Sequence, residues 1–80
     1  MGGPVKLNGV VIFAFVAPSG ENGVGVRVST DEWERLGLYP GQQIRVEGAG
    51  VEGNFLLASA TEEPPLVWLR FRSLESRIAG

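Results

Sequence analysis

The segment Pro65-Leu-Val-Trp-Leu-Arg-Phe-Arg72 holds the residues best suited to recognition chemistry. In an extended strand its side chains alternate between two faces. Val67, Leu69 and Phe71 fall on one, a core face, while Trp68, Arg70 and Arg72 fall on the other. An indole beside two guanidinium groups can stack a base and hold phosphates. The same trio can anchor a protein partner, because Trp and Arg are enriched at interface hot spots. A third reading is structural: Trp68 packs beneath a helix or the C-terminal tail, and the arginines are solvated or paired with Glu62, Glu63 or Glu75. The sequence leaves all three open, the structural one first.

Side-chain catalysis finds little to work with. The chain has no His and no Cys, so Ser/His/Asp and Cys/His arrangements are impossible. The same absence removes disulfides and nearly all zinc and transition-metal sites. Lys6 is the sole lysine, and no motif ties a serine to it. Glu32 and Glu34 lie two apart on a predicted helix and so face apart, and Glu62-Glu63 sits in a Pro-containing turn. These carboxylates read as solubility charges rather than a glycosidase pair. The glycines of Gly20-Glu-Asn-Gly-Val-Gly25 have the wrong order for a phosphate-binding G-x-G-x-x-G loop, and no helix follows directly. No catalytic residue, metal or cofactor is therefore assigned.

Something must position the recognition residues. Eighty residues make one domain, which buries only about 60% of its unfolded surface. The apolar fraction is 44% and the charged fraction 20%, as in a folded globule. The net charge of −2 does not suggest a general polyanion binder. The longest apolar run, Val10–Ala17, is too short to span a bilayer. It also makes a poor signal-peptide core, because only Lys6 is basic ahead of it and Phe15 sits where a small residue is wanted. The reading is a non-membrane, cytoplasmic domain.

Met1–Pro4 is expected to be a loose end, as is the region 74–80, where Ser73–Gly80 reads as a helical turn or a tail. Val5–Ala17 is strand, interrupted by Asn8-Gly9. Asn-Gly is a strong hairpin signal, yet three residues before it make a poor strand, so a bulge in one long strand is slightly preferred. Val10–Val16 is apolar at nearly every position, which predicts cover on both faces. Val24, Val26 and Val28 alternate as a half-buried strand. A helix over Thr30–Leu38 follows. It is capped by Ser29 or Thr30, with Glu32 completing a capping box, docked by Trp33 and Leu36, and stopped by Gly37 and Pro40-Gly41. Gln42–Glu47 is a strand with Ile44 and Val46 inward; Gly48–Gly53 reads as a flexible connection, Asn54–Ala60 as a strand, Thr61–Pro65 as a stiff turn and Leu66–Arg72 as the last strand. The fold class is therefore all-β with one short helix: a small five- to six-stranded barrel, with dimerisation as one way of completing it.

The run Val26–Glu47 resembles the core of AbrB-type swapped-hairpin domains and the related double-psi barrels. It carries Leu36-Gly37-Leu38 and Gly41 at the positions of their helix stop and turn, with Gln42 where they have Asp. The resemblance implies a homodimer with interleaved strands and a DNA-binding or antitoxin-type regulator. The family's basic contacts near the N-terminal strand and hairpin would fall here to Lys6 and Arg27. Leu7–Val11 and Gly41–Gly48 also look like strands of oligonucleotide-binding folds, which place three strands before their helix. The expected function is a non-enzymatic binding module with a lean to an AbrB-like regulator; a protein-interaction module and a single-stranded nucleic-acid binder are the alternatives.

Overall fold

The computed structural model describes residues 2–19 and 23–74. Six strands and one helix run in the order β1 (Gly2–Leu7), β2 (Val10–Pro18), β3 (Gly23–Ser29), α1 (Thr30–Leu36), β4 (Gln43–Gly48), β5 (Val51–Glu63) and β6 (Leu66–Ser73). The strands close a barrel in the order β1-β2-β3-β6-β5-β4, and every neighbouring pair is antiparallel. Two meanders, β1-β2-β3 and β4-β5-β6, are joined through α1 and pair edge to edge. The expected mainly-β barrel with a short helix is what forms, and all six strands come from one chain. No helix among the described residues is long and apolar enough to cross a membrane.

Asn8-Gly9 is a true turn, not a bulge. Asn8 (φ 53°) and Gly9 (φ 86°) both occupy the left-handed region, as a two-residue hairpin turn requires. Asn8 is also tied to β4: its N–H donates to the Arg45 carbonyl and its side-chain oxygen accepts from the Arg45 N–H, each at 2.9 Å. The strand before it is longer than the sequence suggested, because Gly2–Pro4 belongs to β1 and pairs with Ala14, Phe13 and Phe15. The expected loose end is thus part of the sheet from residue 2 onward. Three strands now precede α1, the count that the oligonucleotide-binding resemblance needs.

The turn at Ala49 (φ 51°) and Gly50 (φ 82°) repeats this device between β4 and β5. The connection expected over Gly48–Gly53 is therefore only two residues long, and β5 begins at Val51 rather than Asn54. At its far end β5 runs on to Glu63, so only Pro64-Pro65 turns the chain, through a cis peptide bond.

The core consists of the inward positions of each strand. Val24, Val26 and Val28 of β3, Ile44 and Val46 of β4, and Val67, Leu69 and Phe71 of β6 are buried as their alternation predicts. Phe55 meets Phe71 edge to face, with ring centroids 6.3 Å apart. Each large side chain so buried contributes about 1.5–3 kcal/mol. Strand β2 departs from expectation. Ile12, Ala14 and Val16 are buried, but Val11, Phe13 and Phe15 are exposed. A barrel strand has only one interior side, and α1, the one helix described, lies against β3 and β6 rather than β2.

Helix α1 is two residues shorter than read from sequence. The Ser29 hydroxyl accepts from the Glu32 N–H at 3.1 Å, and Gly37 (φ 66°) ends the helix with its N–H donated to the Trp33 carbonyl. Trp33, Leu36 and Leu38 pack on the core, as a two-turn helix requires. Gln42 then closes the following loop by accepting from the Tyr39 N–H at 3.1 Å, while its carbonyl accepts from the Leu57 N–H.

Candidate partner-binding face

The outward positions of β2, β3 and β6 form one continuous surface. Register places Phe15 opposite Arg27, and Arg27 opposite Trp68. One row further along, Ala17 faces Gly25 and Gly25 faces Arg70; beyond that Gly23 faces Arg72. The first row is a stack. The Arg27 guanidinium carbon lies 4.8 Å from the Phe15 ring centroid and 5.2 Å from that of Trp68. A cation held between two aromatic faces is stabilised by about 0.5–1 kcal/mol per contact at an exposed site. The long Arg27 side chain is thereby held in place while its N–H donors stay free for a ligand.

The outer end of this surface is apolar. Phe13 is 75% exposed, Val11 52%, Trp68 42% and Phe15 40%. Contiguous exposed apolar area of this kind marks interaction sites. The arginines beside it are uncommitted. Among the described residues the ion pairs are Arg35 with Glu32, and Arg45 with Glu47 and Glu52, all away from this face. Arg27, Arg70 and Arg72 have no carboxylate within ion-pair distance among those residues. Two branches of the structural reading are not seen: Trp68 is half-exposed in a cation–π stack rather than packed beneath α1, and neither Glu62 nor Glu63 pairs with the arginines. Its other branch, solvated arginines, agrees with what the described residues show. The C-terminal tail, with Glu75, lies outside the described residues.

Between Phe15 on one side and Trp68 and Arg70 on the other runs a groove of about 320 Å³. Ala17 and Gly25 line its shallow part, and the Ser59 and Thr61 hydroxyls stand on the β5 side. Those two reach the surface because of an irregularity in β5. Leu57 faces Phe71, yet Ser59 faces Arg70, so Ala58 is one residue extra. Side chains alternate strictly along a strand, and a one-residue slip moves every later one to the opposite face. Phe55 and Leu57 point inward; without the bulge Ser59 and Thr61 would follow them into the core.

The structure divides the five sequence-selected residues differently from their original grouping. Arg27 joins Trp68, Arg70 and Arg72. Lys6 does not: it sits on β1 opposite Val11 and Glu47, with β2 and β3 between it and β6. Sequence reasoning missed Phe13, Phe15, Gly25, Ser59 and Thr61. The available signal for the first two was their spacing, aromatics at i and i+2 on a strand. Among the described residues no cluster of acidic side chains is arranged to hold a metal ion. Comparison with protein-family models, with curated proteins and with solved structures gives no match.

Proposed function

We propose that this chain is a non-enzymatic binding module that engages a protein partner on the outer face of β2, β3 and β6. The observation that carries this reading is the Phe15–Arg27–Trp68 stack set at the edge of the exposed apolar strip Val11–Phe13. Rigid aromatic anchors next to guanidinium groups are the usual composition of an interface hot spot. The AbrB-like DNA reading has less support from the geometry. Its two basic residues, Lys6 and Arg27, lie on separate parts of the barrel, and Lys6 stands opposite Glu47. A homodimer fits the proposal as an association of outer faces, because the barrel core needs no strand from a second copy.

One observation favours a second reading. Three unpaired arginines around an exposed indole also suit a single-stranded nucleic acid. A photo-crosslinking amino acid at position 13 separates the two. The protein reading expects discrete adducts that resist nuclease and are lost in Trp68→Ala; adducts joining two copies of the chain would make the partner a second copy. Adducts that disappear with nuclease treatment would overturn it in favour of nucleic acid.

A further inference from the structure

The groove contains one residue that the fold does not account for. Gly25 lies in the middle of β3, where glycine weakens a strand because it adds flexibility and packs nothing. Its φ is not in the left-handed region. A Cβ built there meets only the Ala17 carbonyl oxygen at 3.8 Å and the Ser19 Cβ at 4.0 Å, which is ordinary contact. Gly23, two residues earlier, is different: a Cβ there would collide with the Ser19 carbonyl and stand 3.0 Å from the Phe71 carbonyl oxygen. Gly23 is thus required by packing and Gly25 is not. What Gly25 does is keep the groove open where Phe15, Trp68 and Arg70 converge. A strand glycine without a structural reason marks close approach by a ligand or another backbone.

Building on the protein-interaction reading above, we infer that this groove receives a short acidic peptide segment. An apolar side chain of the segment seats over Gly25, one row along from the Phe15–Arg27–Trp68 stack, and its carboxylates meet Arg70 and Arg72. Charge complementarity sets this choice. Guanidinium forks match carboxylates in two-point contacts, and the three arginines here lack partners among the described residues. The charge pattern also limits the ligand's length. Glu63 pairs with Leu66, two residues along β6 from Trp68 and on the same outward face. A phosphate backbone continuing along the groove past Trp68 would meet that carboxylate, whereas a peptide needs negative charge only at the Arg70–Arg72 end. Finally, Val11 and Phe13 extend the apolar surface sideways along β2, where further apolar side chains of a peptide can be buried.

The test is selection from a display library of short random peptides on the folded wild-type domain, followed by affinity measurement of the selected peptides. The proposal expects enrichment of Asp or Glu beside Leu, Phe or Trp. It expects affinity to fall at least about tenfold in Gly25→Leu and in Arg70→Glu, with circular dichroism confirming both folds, and to stay unchanged in Lys6→Glu. Selected peptides without acidic residues, or binding indifferent to both groove variants, would overturn it. In that second outcome, sensitivity to Phe13→Asp would leave the protein-interaction reading standing. Short oligothymidine displacing the peptides at low salt, with affinity that falls as salt rises, would overturn both.

Discussion

Arg27 and Trp68 face each other across the β3–β6 ladder, with the guanidinium carbon 5.2 Å from the indole centroid. Because Phe15 stands on the other side of Arg27 at 4.8 Å, the stack spans three adjacent strands on the outside of the barrel. This places Trp68 in a surface role, while its neighbours Val67 and Leu69 are buried in the core. Core and surface positions therefore separate along β6 by alternate residues.

The alternation gives a direct comparison. Trp68→Ala removes a half-exposed ring and one cation–π contact, and should cost about 1–2 kcal/mol. Phe71→Ala empties a core position packed on Phe55 and should cost about 3–5 kcal/mol. Urea denaturation followed by circular dichroism measures both. Equal losses would mean that Trp68 supports the core.

Much of the barrel was legible in the sequence because alternation along β3, β4 and β6 is clean, with Val24, Val26 and Val28, Ile44 and Val46, and Val67, Leu69 and Phe71 on the buried faces. The helix was legible from Ser29, Glu32 and Gly37, whose cap geometry depends on neighbours in sequence. Strand β2 was not, since a run apolar on both faces looks the same whether one face or two are covered. Barrel closure gives β2 a single interior side, taken by Ile12, Ala14 and Val16, and α1 lies away from β2, so Phe13 and Phe15 are left exposed. The site was legible by half. Trp68, Arg70 and Arg72 follow from period two, but Arg27 joins them only through the β3–β6 register, and Ser59 and Thr61 only through the bulge at Ala58.

The Asn8-Gly9 turn should be a point of high local sensitivity. Gly9 has φ 86°, a conformation that costs an L-residue roughly 1–2 kcal/mol. Gly9→Val should therefore destabilise the domain by at least about that amount, although a side chain there meets open space. Asn8→Ala should add the loss of the bond to the Arg45 N–H, about 1 kcal/mol. Thermal melts of the two variants and their combination check this. An unchanged melting temperature for Gly9→Val would contradict the turn geometry.

Ser29 is expected to matter through a single bond. Its hydroxyl accepts from the Glu32 N–H at 3.1 Å at the start of a seven-residue helix. Ser29→Ala should cost about 1 kcal/mol and Ser29→Asp should restore most of it, since Asp caps as well and favours the positive end of the helix. Trp33 docks that helix on the core, so its fluorescence should report local loosening in Ser29→Ala. If Ser29→Asp were as unstable as Ser29→Ala, the cap would not be what holds this end.

The two glycines of β3 should respond in opposite directions to the same change. Gly23→Ala drives a methyl group into the Ser19 and Phe71 carbonyls, both backbone atoms that cannot swing aside, and should destabilise by about 1–3 kcal/mol. Gly25→Ala places its methyl group at 3.8 Å from the nearest atom. There it restricts the unfolded chain without strain in the folded one, which should stabilise by about 0.4–1 kcal/mol. The free energies of unfolding of the two variants, measured side by side, thus separate a glycine that the barrel requires from one that it only tolerates. Destabilisation by Gly25→Ala comparable to that by Gly23→Ala would give Gly25 a structural purpose after all, and would remove the reason for reading the open groove above it as a place kept clear for a ligand.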